Sequence, residues 1–356
     1  MRRLGLAGGM SPEVMMRAFV ITGPCSAEVQ DVAPPELRPG EVIVNVERAG
    51  VCGTDVELFT GQLAYLHTGE ASYPLRIGHE WCGVVRAAGP GVDPGWLGRR
   101  VTGDTMLGCG QCHRCQAGRH YLCADRYEIG IRRGWPGALA ERLPVPAWAL
   151  HALPPSLDPA LGALAEPGGN ALRAVRAAGL EPGDRLLVLG PGTIGLLCAQ
   201  LATAGGAEVH LLGENDTSLS FARSLGLTSA WTADTLPQLP FEAVIDASNA
   251  ASLPGLALRL VEPGGRVVCI GLAGQPSMID SRIAVLKDVT IVGVLGGSAG
   301  LARAIESFAV GEVNPRPLIA ATVRLDEAAS VLAGHRDPAW GPAPKIHIDP
   351  RPVGRG

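Results

Sequence analysis

Residues 184–189, Asp-Arg-Leu-Leu-Val-Leu, read as a buried strand that passes straight into Gly190-Pro191-Gly192-Thr193-Ile194-Gly195. An Ala- and Leu-rich segment, 196–204, follows with helical spacing. A buried strand, a G-x-G-x-x-G turn and a helix in that order restrict the fold more than any other feature of the chain. Gly190 makes the tight turn, Gly192 lets a pyrophosphate approach the backbone, and Gly195 lets helix and strand pack closely. Thr193 and Ile194 lie within the same turn, and the free N–H groups of the helix behind it meet phosphate charge.

The same alternation continues downstream. Strand-like runs at 208–212, 241–246, 265–270 and 288–294 are interleaved with helical segments at 218–225 and 253–260, and a further helix at 302–308 follows. Such alternation predicts an α/β fold with a doubly wound parallel sheet. Upstream, 163–178 has helical periodicity interrupted by Glu166-Pro167-Gly168-Gly169, so a helix is expected to open near Asn170. From 16 to about 101 the pattern is different: short β-like runs, clearest at 41–46 and 81–85, broken by Pro and Gly. The 48 glycines and 29 prolines are scattered between apolar runs, which indicates many short connections, not a disordered chain. At 356 residues there is room for two domains, and with aromatics at only 4% their cores should be aliphatic.

Val51-Cys52-Gly53-Thr54-Asp55 and Gly78-His79-Glu80 carry a thiolate, an imidazole and a carboxylate, all credible zinc ligands. Three such groups suit a catalytic zinc with an open position. Further on, Cys109, Cys112, Cys115 and Cys123 form a C-x2-C-x2-C-x7-C cluster with Gly108, Gly110 and Gly118 around it. Four thiolates so spaced fit a structural zinc, with an iron–sulfur cluster or two disulfides as alternatives. An odd count of nine cysteines argues against a disulfide framework. The net charge of −4 gives no basic footprint for nucleic acid, and no apolar run is long enough to span a membrane. Residues 1–15 read as an N-terminal extension, with Met10, Met15 or Met16 as other possible starts, and the protein is expected in the cytoplasm.

With these residues in place, the chain from about Met16 onward resembles the zinc-containing medium-chain dehydrogenase/reductase family, closest to its polyol, sugar and threonine dehydrogenase branch. Gly50 to Asp55, Gly78-His79-Glu80, the four cysteines, Ala165-Glu166-Pro167 and the glycine motif carry the resemblance. It implies a GroES-like, mostly β catalytic domain at 1–164 with a structural zinc lobe at 105–125. A Rossmann domain would span 165–298, and 299–356 would return to the first domain. It also implies a catalytic zinc held by Cys52 and His79, with Glu80 or Glu166 as third ligand. Asp55 would orient the histidine from behind. Thr54 would pass a proton outward, with His67 a possible extension and Tyr65 a possible pocket wall. The implied reaction is hydride transfer between a secondary alcohol and NAD(P), in a homodimer or homotetramer. An aldose 1-dehydrogenase, a specialised biosynthetic alcohol dehydrogenase and a non-catalytic nucleotide-binding protein are the alternatives.

Two features depart from the family pattern. An acid ending the second Rossmann strand selects NAD. Counting from the glycine motif places Glu214 there, whereas counting back from the next helix places Gly213. Residues 214–217 are Glu, Asn, Asp and Thr, whose carboxylates would repel a 2′-phosphate, so NAD is favoured and NADP is possible. The bare Gly168-Gly169 pair is expected either to enlarge the pocket or to loosen its loop.

Overall fold

The computed structural model describes residues 15–352. The expected extension therefore lies, apart from Met15, outside the described residues. Arg185–Leu189 sits at the centre of a six-stranded sheet in which every pairing is parallel. Reading across, the strands are Ala230–Trp231, Glu208–Leu212, Arg185–Leu189, Phe241–Asp246, Val261–Cys269 and Thr290–Gly293. In chain order this is 3-2-1-4-5-6, the dinucleotide-binding arrangement, with its switch point beside the glycine motif. Leu186 and Val188 face one apolar layer, built with helices Ala165–Ala178, Thr193–Ala204 and Leu301–Ala309. Leu187 and Leu189 face a second, built with helix Leu253–Leu260. A strand covered on both faces is apolar wherever it is enclosed, hence the run 186–189, with the half-buried Arg185 at its start.

A seven-stranded sheet organises the remainder. Glu41–Gly50 lies at its centre, flanked by Glu80–Ala88, Arg142–Pro146 and Lys345–Asp349, and Ile319–Arg324 pairs with the last of these. Val42, Val44 and Val46 alternate into a core that contains the fully buried Trp81. Each such aliphatic side chain contributes about 1.5–3 kcal/mol on burial.

Three expectations need correction. The helix opens at Ala165, not Asn170, so Glu166 and Pro167 lie in its first turn, where a missing N–H has no intrahelical partner to lose. Gly168 and Gly169 neither enlarge a pocket nor loosen a loop. A Cβ on Gly168 would lie 2.6 Å from Phe308 Cζ, and one on Gly169 would lie 2.8 Å from the Gly297 carbonyl oxygen. The pair is bare because helix Leu301–Ala309 and the segment before it press against it. That same helix packs in the nucleotide-sheet core through Leu301, Ile305 and Phe308. The chain thus rejoins the catalytic sheet at Ile319–Arg324, later than residue 299.

His347, in strand Lys345–Asp349, is fully buried, and neither ring nitrogen has a hydrogen-bond partner among the described residues. Burial, aided by the positive charges of Lys345 and Arg48, pushes its pKa down to about 3. The unfolded imidazole binds a proton near 6.5, so this site favours folding above that pH and loses its contribution as pH falls toward 3. The loss is about 1.4 kcal/mol per pH unit. In His347→Leu the unfolding free energy should therefore decline less steeply between about pH 6 and about pH 4. Parallel pH profiles from urea titrations would refute the neutral buried state.

Candidate active site and metal centres

Cys52 stands just ahead of helix Gly53–Thr60, two residues past the end of strand Glu41–Gly50. His79 immediately precedes strand Glu80–Ala88. Antiparallel pairing places Gly50 opposite Glu80, so the two ligand-bearing ends emerge side by side. Asp55 fastens them together from a fully buried position. Its Oδ2 accepts from the Cys52 N–H at 2.9 Å, and its Oδ1 accepts from the Gly78 N–H at 3.2 Å. Asp55 Oδ1 also lies 3.5 Å from His79 Nδ1, at the outer limit of a hydrogen bond. A carboxylate behind one ring nitrogen is the arrangement that orients a metal-binding histidine through the other.

Cys52, His79 and Glu80 each offer a ligand atom, all within 4.8 Å of one another. Glu80, however, already has a cation. Lys345 Nζ donates to Glu80 Oε1 at 2.8 Å, to Oε2 at 2.7 Å and to the Val51 carbonyl at 2.8 Å. Nothing in the local sequence around position 80 announces Lys345, which arrives on the distant strand Lys345–Asp349. Burial alone would lower the Lys345 pKa, but the neighbouring Glu80 carboxylate raises it above its ordinary value. A side chain at position 50 would strike the Glu80 carboxylate, so Gly50 is required for this pair to form.

Glu166 has no such counter-charge. Asn170 Nδ2 donates to its Oε1 at 2.8 Å, one helical turn on. Burial pushes the Glu166 carboxyl up to about 7; the positive charge of His79 opposes that rise and Glu80 adds to it. For His79, burial opposes protonation, yet Asp55 and Cys52 carry its pKa well above the usual imidazole range. Cys52, Asp55, Glu80 and Glu166 set one thiol and three carboxylates around His79 and Lys345. Cys52 and His79 with a neighbouring carboxylate make a sulfur, nitrogen and oxygen donor set that fits zinc.

In the cysteine lobe, Cys112 Sγ lies 3.6 Å from Cys115 Sγ and 3.8 Å from Cys123 Sγ, and Cys109 Sγ lies 4.0 Å from Cys115 Sγ. Four sulfurs bound at ~2.3 Å to one tetrahedral ion stand about 3.8 Å apart. Disulfides need roughly 2.05 Å, and a multinuclear cluster spreads its thiolates over separate irons. A single tetrahedral ion is what this geometry fits. Backbone N–H groups of Gln111 and Cys112 hold the Cys109 thiol down to about 6, which favours the thiolate a metal needs. Cys112→Ser should remove one of two zinc equivalents and lower Tm by several degrees, with nucleotide affinity changed by less than about threefold. Unchanged zinc content and Tm would exclude a structural ion here.

The glycine motif adopts its expected geometry. Gly190 has φ +98°, a Cβ on Gly195 would collide with the Gly190 carbonyl oxygen, and the space over Gly192 is open. Thr193 and Ile194 begin the helix. Gly213 and Glu214 both follow the end of strand Glu208–Leu212; Gly213 packs against Pro191 and Leu219, and Glu214 is exposed. Thr54 is half-buried in the helix turn after Cys52. Tyr65 is tied by its hydroxyl to Glu128 and Arg126, each at 3.2 Å, and His67 is exposed.

Residues 38–155 match the alcohol dehydrogenase GroES-like domain, and residues 193–309 match the zinc-binding dehydrogenase domain. The chain belongs to the zinc-containing medium-chain dehydrogenase family, and it is a zinc- and NAD(P)-dependent alcohol oxidoreductase of that family. It is 31% identical to the protein named "Probable D-xylulose reductase A" of Aspergillus clavatus, over 87% of this chain and 91% of that one. Identity to the L-threonine 3-dehydrogenase of Idiomarina loihiensis is also 31%, over 75% of this chain and 80% of the relative. Among solved structures, a zinc-binding dehydrogenase of Sinorhizobium meliloti bound to NADP superposes with a TM-score of 0.84 at 31% identity, covering 94% of this chain and 99% of the other.

Proposed function

We propose that the protein oxidises a secondary alcohol carbon flanked by a second polar group, as in a polyol, with NAD as acceptor. The relatives support this substrate class, since xylulose and threonine chemistry both involve a secondary hydroxyl beside a carbon bearing another heteroatom. The observation that carries the reading is the cluster of Cys52, His79 and Glu80, with Glu166 a buried carboxylate that forms no ion pair among the described residues and feels the charge of His79. Cys52, His79 and Glu166 would hold the zinc, while Glu80, neutralised by Lys345, stands behind it. When bound, zinc lowers the pKa of the alcohol and nicotinamide accepts the hydride. Asp55 holds the Cys52 and His79 segments in register, and the Thr54 hydroxyl offers the first proton relay. Glu214 and Asp216 favour NAD by their charge.

The exposed edge strand Thr290–Gly293, with Ile291 and Leu295 uncovered, supports a homodimer or homotetramer. Nine unpaired cysteines suit the cytoplasm, and no helix among the described residues is long and apolar enough to cross a membrane. A substrate panel of polyols, aldoses, hydroxy amino acids and simple secondary alcohols, run with NAD and NADP side by side, tests the proposal. Polyols or hydroxy amino acids with NAD should give the highest kcat/KM. Turnover confined to aldoses would point to oxidation at an anomeric carbon, and silence with every alcohol would refute the reading.

A further inference from the structure

Beyond the zinc ligands, one buried carboxylate joins three parts of the molecule. Asp104, 5% exposed, lies between strand Arg100–Gly103 and the cysteine lobe. Its Oδ2 is 2.6 Å from His120 Nε2, inside the lobe between Cys115 and Cys123. Its Oδ1 accepts from Ser298 Oγ at 2.6 Å and from the Met106 N–H at 3.0 Å. Ser298 follows the last strand of the nucleotide sheet, on the segment leading into helix Leu301–Ala309. The next residue, Thr105, donates its hydroxyl to the His79 carbonyl at 3.3 Å.

A second, independent set of contacts runs parallel to the first. Arg173, on the helix that carries Glu166, donates to the carbonyls of Leu295 and Gly296. Its guanidinium lies 4.4 Å from the centroid of Tyr121, again a lobe residue. The segment between is tightly confined: a Cβ on Gly296 would stand 2.7 Å from Met106 Cε, and one on Gly297 would stand 2.9 Å from the Glu166 carbonyl oxygen. His120 is itself fixed edge-on against Trp148 at 5.2 Å. The 294–298 segment is thus held on one side by the lobe and on the other by the Glu166 helix.

We infer that Asp104 is a positioning residue: by tying His120 of the cysteine lobe to Ser298, it fixes the segment leaving the nucleotide sheet and so sets nucleotide affinity. A carboxylate with each oxygen committed to a different body makes a stiff bridge, and its charge-assisted hydrogen bonds are strong. The segment leaves Gly293 at the carboxyl edge of the parallel sheet, in register with Leu189 just before the glycine motif, the edge at which nucleotides bind. Cutting either arm frees the segment, and the nucleotide must then order it on binding. The inference rests on the dehydrogenase reading for its ligand, and the test separates the two.

Ser298→Ala removes the segment arm, and His120→Phe removes the lobe arm while keeping an aromatic ring against Trp148. The fully loaded enzyme is titrated with NADH, assayed for KM and kcat, analysed for zinc, and followed by hydrogen exchange at 294–300. Both variants should bind NADH roughly tenfold more weakly and show a raised KM for NAD. They should keep kcat at saturating nucleotide within about twofold. Both should retain parental zinc and exchange faster across 294–300 without nucleotide. A purely structural role would instead lower zinc content or Tm and leave the KM-to-kcat balance intact. Parental NADH affinity with parental exchange in both variants overturns the inference. If the parent itself binds neither NADH nor NADPH, the dehydrogenase reading fails, and the exchange data alone decide whether Asp104 holds the segment.

Discussion

Cys52→Ser should abolish turnover while leaving the fold intact. Cys52 is half-buried at the head of a helix, and its backbone N–H is held by Asp55 regardless of its side chain, so serine fits without rearrangement. What serine cannot supply is a soft thiolate. Without it, His79 and a carboxylate remain, too few to hold zinc firmly against water. Lewis-acid stabilisation of a developing negative oxygen is worth several kcal/mol, so kcat/KM should fall by about a thousandfold or more. One zinc equivalent should disappear from elemental analysis, with circular dichroism and NADH binding preserved. Turnover near the parental rate in a variant lacking that zinc would remove Cys52 from the catalytic assignment.

Lys345→Met is expected to produce the largest loss of stability. Lys345 and Glu80 are almost wholly enclosed, with side-chain exposures of 4% and 2%. Methionine matches the volume of the lysine stem but leaves the Glu80 carboxylate and the Val51 carbonyl without their donor. Removing one partner of a buried ion pair costs about 3–5 kcal/mol, chiefly because the other charge stays buried. The double variant Lys345→Met with Glu80→Gln should recover a substantial part of that loss, since the stranded charge is gone. Chemical denaturation of the four proteins forms the cycle. A loss below about 1 kcal/mol in Lys345→Met would mean that Glu80 has another cation, with a bound zinc the first candidate, and would move Glu80 into the ligand set.

The parts legible in the chain are those governed by neighbours in sequence. The unbroken apolar run 186–189 leading into Gly190 specified a buried strand and its turn, because a strand covered on both faces and a turn at φ +98° leave few residue types possible. The spacing of Cys109, Cys112, Cys115 and Cys123 specified a metal lobe, because a short loop can wrap one ion. Disulfide and cluster alternatives fell only when the sulfur separations were in hand.

Other features were illegible for reasons the structure supplies. Glu166-Pro167-Gly168-Gly169 looks like a helix breaker, yet proline is harmless in a first turn, and the glycines answer to Phe308 and Gly297 far along the chain. Glu80 reads equally well as ligand or supporting carboxylate in sequence, and nothing nearby reveals that Lys345, 265 residues away, donates to it. Asp104 carried no signal at all, since its partners His120 and Ser298 belong to different parts of the fold.

By itself, then, the order of residues determined the strand–turn–helix units, the two candidate sets of metal-binding side chains and the family to which they belong. Those follow from backbone sterics and from ligand chemistry acting over a few residues. Only the tertiary structure decided which carboxylate is already neutralised, which glycines are packing sites, and where the chain rejoins its first sheet. These depend on groups brought together by burial across hundreds of residues, where local pattern holds no record of the partner.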